Sequence, residues 1–567
     1  MLFELTVIAF LLYLVGITYL RKHPEKIPDW MSLWSGIFIL VHSEKGLDYI
    51  EKIAERTPLW KPIGNLGAGF AVTVMISIFL LTIFSAISIL TTEAESAITE
   101  PRNYLVVPGV NDFLPLSVAL EILLALGAAM IIHELGHAIY CKYEGIEVKS
   151  TGIVLLGLLP FGAFVEPDLE SQDNASRLSR LRMASAGVFN NTVLTVISVV
   201  LLMLTVSFLI TPISGASIGS TYANSASADA EIGAGDTIIE VNGQEIQSNS
   251  EFQEYLSNSD ARTVEVTLQN GETVTVNRKA QVSGVLESSD LSTGDVLTHI
   301  NGEEIHTTNE FQTIIHNQDT NNVEFNIDGQ DDTITHQTGA TYIAQTEFTI
   351  DETTINSGDV LRVTEVNNEI IHSSGQAEIE SGDEITVVSN EDTTISGTVS
   401  DSFTEQTTTV SGVNGLEISD FGASLYPVQE YYSVLNGDLV SENFLAWVVL
   451  MLMIPLGTLI GFDHNFPGFT TEIGNHFTVI GGSMAEPVIF FTATLLFWMV
   501  WINFNVAIFN CLPTFALDGG HILRDFIKEL WVRVGFAEES SIPGHLTTVI
   551  LVLTASLLLA IIVSPFF

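Results

Sequence analysis

Apolar runs long enough to cross a bilayer, about 20 residues each, occupy 2–20, 66–90, 116–141, 184–210, 443–462, 488–510 and 546–566. Each predicts a helix in lipid. Between 211 and 440 the pattern changes to alternating Val, Ile and Thr runs broken by Gly, Asn and Asp, the period of half-buried strands. The expected fold is a polytopic α-helical membrane protein with an inserted extracytoplasmic β-rich (α+β) region. The expected divisions are 1–115 for N-terminal helices and a cytoplasmic loop, 116–210 for the first half of a membrane core, 211–427 for the β-rich insert and 428–567 for the second half with a C-terminal helix. The apolar stretch 151–165, TGIVLLGLLPFGAFV, is short and interrupted by Gly and Pro, so it suits a re-entrant hairpin rather than a span.

The insert repeats. GDTIIEVNGQEIQSNSEFQEYL from Gly235 recurs as GDVLTHINGEEIHTTNEFQTII from Gly294 and, more weakly, as GDVLRVTEVNNEIIHSS from Gly358. Each copy predicts a Gly-Asp turn, a strand, an Asn-Gly or Asn-Asn hairpin turn and a second short strand. In the first two a helix begins near Phe252 or Phe311. These units resemble PDZ domains, although no Gly-Leu-Gly-Phe loop precedes the first. The resemblance implies strand-addition capture of a peptide; the bland alternative is a spacer array that keeps bulky proteins off the membrane.

Charge separates the two solvents further. The chain carries 67 Asp and Glu against 20 Lys and Arg, a net charge of -47, with a mean hydropathy of +0.38. So large an excess repels itself unless concentrated salt screens it, which points to a halophilic archaeon. It also excludes nucleic acid as a partner, because no basic patch exists to displace phosphate counterions. Lys and Arg cluster in 21–62 and 142–182, which the positive-inside rule places in the cytoplasm, leaving 211–440 outside. The two cysteines, Cys141 and Cys511, give no disulfide framework.

The chemistry sits at one helix end. LGAAMIIHELGHAIY puts His133 and His137 one turn apart on one face, with Glu134 beside them. Two imidazoles make half a site: catalytic zinc needs a third protein ligand and a water, and Glu134 would take that water's proton. Ionisable groups in a membrane helix cost about 2.5–3.5 kcal/mol each unless paired or ligated, so a filler role is disfavoured. From Leu116 to His133 a helix rises roughly 25 Å, which places the site shallowly under the cytoplasmic face. FNCLPTFALDGGH supplies a third-ligand candidate in Asp518, after a helix broken at Pro513. For Asp518 to reach His137, 443–462 must be a partial or returning segment, so that 488–510 runs inward. Cys141, Cys511 and His521 are further conceivable ligands, with packing or interfacial roles as the simpler account.

HELGH, LLPFGAFVE, AGVFNN and NCLPTFALDGG, in this order and with an insert between the second and third core helices, resemble the site-2 protease family of intramembrane metalloproteases. The resemblance implies Zn2+ held by His133, His137 and Asp518, Glu134 as catalytic base, and a β-like loop over 151–165. It also implies Asn191 and Asn510 holding the substrate backbone or a developing oxyanion; interhelical hydrogen bonding is the alternative for both. The expected activity is zinc endoproteolysis within the membrane of a single-span protein already shortened by another protease, with lipid as the surrounding partner. The rivals are a catalytically silent scaffold and a metal transporter, and transport would require ionisable groups along several helices.

Overall fold

A computed structural model gives the fold and describes every residue except 1, 35–36, 44–46, 56–57, 92–100, 105–106, 112, 157–158, 286–290, 331–332, 346–347, 351–352, 374–378, 380–381, 390–393, 399–406, 411–415, 461–463, 516 and 564–567. The first apolar run forms α1 (Leu2–Lys22), whose first nine side chains lie outside the described set. Five further helices are long and apolar enough to cross a membrane among the described residues. They are α2 (Trp60–Thr91), α3 (Ala119–Tyr143), α4 (Arg177–Leu209), and, numbered below in chain order, the helices Glu486–Asn510 and Ile542–Val563. The run at 443–462 does not make a full span. It folds as a ten-residue helix, Phe444–Met453, followed by 3-10 turns over Ile454–Ile460, with Leu456 outside helical geometry and Pro455 removing a backbone donor.

Helix α3 shows how the sequence is used. Its buried residues Ile122, Ala125, Ala129, His133 and Gly136 recur at three- and four-residue intervals. That makes one stripe of mostly small side chains with the His133 imidazole, which packs against α4 and the helix Glu486–Asn510. Small residues let the backbones approach, as lipid supplies no hydrophobic force to drive larger ones together.

Ahead of α3 and after it the chain forms one antiparallel sheet, ordered β1 (Met31–Trp34), β2 (Phe38–Ser43), β3 (Val148–Leu156) and β4 (Leu159–Pro167). The expected hairpin at 151–165 is thus β3–β4, and it packs β4 against α3. Strand β4 is the sheet's edge among the described residues.

The insert 211–427 is β-rich, as its alternation predicts. The first two copies carry α5 (Asn249–Ser257) and α6 (Thr308–His316), each begun by a side chain that accepts from the third backbone N–H: Ser248 in one, and Thr307 with Glu310 in a reciprocal cap in the other. The third copy keeps the strands Val360–Val366 and Glu384–Ser389. The copies are not beads on a string. After the third, Leu416–Ser419 pairs with Gln281–Val285, and Ala423–Leu425 pairs with Ala216–Thr221 of the first copy's sheet. The chain then passes through α7 (Phe444–Met453) into α8 (Glu486–Asn510), α9 (Asp518–Arg533) and α10 (Ile542–Val563).

A connecting loop over 464–476 joins insert and core. His476 Nδ1 bonds Thr237 Oγ1 at 2.9 Å, His464 Nε2 bonds Ser424 Oγ at 2.9 Å, and Thr470 Oγ1 donates to the buried Glu121 of α3 at 3.0 Å.

Candidate metal centre

Three donor atoms converge at the second half of α3. His133 Nε2 and His137 Nε2 stand 3.2 Å apart, and Asp518 Oδ2 lies 3.1 Å from the first and 3.3 Å from the second. Among the described residues these three form the one group of His, Cys, Asp or Glu side chains arranged to hold an ion. Helix α3 brings the two rings to one face. Asp518 arrives as the first residue of α9, and its oxygen Oδ2 is buried without a properly aligned hydrogen.

The start of α9 explains the two glycines after Asp518. A Cβ at Gly519 would lie 2.3 Å from the Cys511 carbonyl oxygen, and one at Gly520 2.1 Å from that of Thr514. Only bare backbone lets this helix begin hard against the turn that ends α8. Gly187 of α4 has the same necessity on the other side, since its Cβ would meet both imidazole Nε2 atoms at 2.6 Å.

The ring orientations leave lone pairs pointing inward. His137 Nδ1 donates to the Met183 carbonyl at 2.8 Å, so its Nε2 carries no proton when the ring is neutral. His133 Nδ1 lies 3.3 Å from the Asn191 carboxamide, whose oxygen is otherwise buried without a partner. Turned so that its oxygen faces the ring, that carboxamide accepts the Nδ1 proton and satisfies both groups, leaving Nε2 as an acceptor too. Two nitrogen lone pairs and a carboxylate oxygen packed this closely repel one another unless a cation sits among them. The residues therefore fit a metal. Their separations are close to the roughly 3.3 Å between donors that bonds of about 2.0–2.1 Å give in tetrahedral zinc.

Glu134 is not among the donors. Val165 of β4 turns its backbone toward that carboxylate, and β4 packs against α3 beside the triad. Sequence reasoning had no access to this contact, nor to the Met183 carbonyl, because backbone groups carry no residue signature. Asn510 ends α8 half-buried, and its carboxamide makes no hydrogen bond among the described residues. Cys141 and Cys511 are buried in apolar clusters rather than in the donor group, and His521 is exposed.

Fold and site together define a class: a multi-pass membrane protein whose helices carry a His-Glu-x-x-His centre completed by a distant aspartate. The chain belongs to peptidase family M50, whose family model matches residues 121–554, and so to the site-2 proteases. It is 31% identical over 238 residues to an uncharacterised protein of Methanocaldococcus jannaschii, covering 41% of this chain and 59% of that one. Over 175 residues it is 29% identical to a protein of Clostridium perfringens whose name includes the words zinc metalloprotease, covering 27% of this chain and 51% of the other. A membrane-bound transcription factor site-2 protease homolog of Arabidopsis thaliana is 25% identical over 201 residues, 35% of this chain and 37% of that one. The chain thus spans between about a third and three-fifths of the length of these relatives.

Proposed function

We propose that the protein is an intramembrane zinc endopeptidase, cutting a single-span membrane protein after another protease has shortened it, in the manner of regulated intramembrane proteolysis. The observation that carries this reading is the convergence of His133, His137 and Asp518 beside a Glu134 carboxylate that the backbone of edge strand β4 faces.

His133, His137 and Asp518 would hold the zinc, which when bound lowers the pKa of water and polarises the scissile carbonyl. Glu134 takes the water's proton on its carboxylate and passes it to the departing amine nitrogen. Asn191 orients His133, and the carboxamide of Asn510 offers its N–H groups to the substrate backbone or a developing oxyanion. A transmembrane substrate hides its carbonyls in helical hydrogen bonds and must unwind to be cut; the edge of β4 offers partners to the extended strand.

An apolar cleft of about 630 Å³ between α2, α4, α7 and α8 reaches the level of the site, with Val188 and Thr192 flanking Asn191 and Ile508 close before Asn510. It suits an apolar helix approaching from lipid. The site faces the cytoplasm and the PDZ-like repeats lie outside in this reading, where they limit the size of substrate that can approach or grip an extended peptide.

The test uses detergent-purified protein in high salt. Wild type is expected to bind about one zinc per chain and to cut a model transmembrane peptide; Glu134→Gln should keep the metal and lose the activity, while Asp518→Asn loses both. A wild type without zinc, or a Glu134→Gln variant that cuts as fast, would reject the protease and favour a scaffold built on the repeats.

A further inference from the structure

The four-stranded sheet carries a chain of polar side chains that the proposed chemistry leaves unused. One residue comes from each strand: Ser32, His42, Ser150 and Glu166. The separations are 2.6 Å from Ser32 Oγ to His42 Nε2, 2.9 Å from His42 Nδ1 to Ser150 Oγ, and 2.8 Å from Ser150 Oγ to Glu166 Oε2. Its direction follows from the carboxylate, which only accepts. Ser150 must donate to Glu166, so its oxygen accepts from His42 Nδ1–H, and His42 Nε2 accepts from Ser32. A neutral imidazole thus satisfies every link. Phe164 of β4 rests edge-on against the ring, centroids 5.1 Å apart, and Ser150 is buried.

The chain ends next to the site. Glu166 directly follows Val165, whose backbone faces the Glu134 carboxylate on a strand packed against α3. Among the described residues β4 has a neighbouring strand on one side only, so its position depends on β3 and on whatever fastens β3 and β4 to the rest of the sheet. That fastening comes from β1 and β2, which lie ahead of the stretch matched by the family model.

We propose that His42 is a positioning residue for the general base: by linking β2 through Ser150 to Glu166, it fixes β4 and with it the Val165 backbone that faces Glu134. The inference rests on the reading of Glu134 as proton acceptor. An edge strand displaced by a fraction of an ångström would leave the metal ligands in place, because they stand on α3 and α9, but would misaim the carboxylate. The signature is therefore a loss in kcat without a loss of metal.

The experiment compares full-length wild type with His42→Phe, Ser150→Ala, Glu166→Leu, Glu166→Gln, Val165→Pro and the His42→Phe/Val165→Pro double variant. Zinc per chain, kcat and KM on a transmembrane peptide, and amide exchange of segment 159–167 are measured. His42→Phe keeps the ring volume and should lower kcat about tenfold, with KM within about twofold and zinc unchanged. Exchange over 159–167 should quicken while peptides from α3 and α4 do not change. Glu166→Gln, which still accepts from Ser150, should restore most of the rate lost in Glu166→Leu. The double variant should be no slower than Val165→Pro alone, since both act through one strand.

Unchanged kcat and exchange in His42→Phe would overturn the proposal, as would a rate loss that merely follows zinc loss. The exchange measurement reads the link between β2 and β4 without catalysis. A zinc-loaded wild type that cut nothing would therefore sink the protease reading, and be told apart from a failure of the link itself.

Discussion

The candidate metal ligands are held by groups that belong to other residues. His137 depends on a carbonyl, that of Met183, and His133 on the Asn191 carboxamide. Replacing Asn191 with Leu should therefore weaken zinc binding by about 10–100-fold, the usual effect of losing an orienting partner, as measured by competition with a chelator. Unaltered affinity would return Asn191 to a role on the substrate. Gly187→Ala tests the opposite face: its Cβ would lie 2.6 Å from both ligating nitrogens, so zinc content should fall well below one per chain while α4 remains helical. The ligand types and their spacing were legible in HELGH and LDGG. The carbonyl and the amide that orient them were not, as they are selected by packing and by no pattern along the chain.

At the scale of elements, the insert depends on long-range closures. Arg278, fully buried, donates to the carbonyls of Leu256, Ser259 and Ala261 at 2.8, 2.7 and 3.2 Å and pairs with Asp420 from the returning segment. Asp420 also accepts from Thr308 N at 2.6 Å, where α6 begins. Removing one partner strands a buried charge, so Asp420→Ala should cost the insert about 3–5 kcal/mol in denaturant unfolding. Arg278→Met/Asp420→Leu together should recover part of that, because no unpaired charge remains.

The junction with the core has its own pH dependence. Burial lowers His476 from 6.5 to about 4, with His464 nearby pushing the same way and a backbone hydrogen bond involving Ile218 opposing it. The folded protein therefore binds fewer protons than the unfolded chain. The stabilisation is complete above pH 6.5 and is lost as pH falls toward 4, about 3 kcal/mol in all. Thermal melts at pH 7 and pH 4.5 check the sign: His476→Asn should lose less stability across that interval than wild type, and an equal loss in both would refute the assignment. Periodicity predicted the strands and helices of this region. It did not predict that Ala423–Leu425 completes a sheet begun at Ala216, because strand pairing across such a separation leaves no local trace.

For the molecule as a whole, two solvents divide the labour. The spans carry the apolar content, and the surface outside them carries most of a net charge of -47. Self-repulsion on that scale is relieved when the screening length falls from about 10 Å at 0.1 M to about 3 Å at 1 M salt. Raising KCl from 0.1 to 2 M should therefore raise the melting temperature of the full-length protein, whereas a flat response would show that the acidic surface is not a stability liability.

The sequence alone determined what sits in lipid, where the strands alternate, that the insert repeats, and which side chains could bind a metal, since hydropathy, period and ligand spacing are local properties. Tertiary structure decided the rest. It shortened 443–462 to α7 followed by 3-10 turns, brought Asp518 within 3.1 Å of His133 from the far end of the chain, nested the repeats inside one another, and set Val165 of β4 beside Glu134. These are meetings between remote segments and backbone groups, and they are fixed by packing, which residue order does not record.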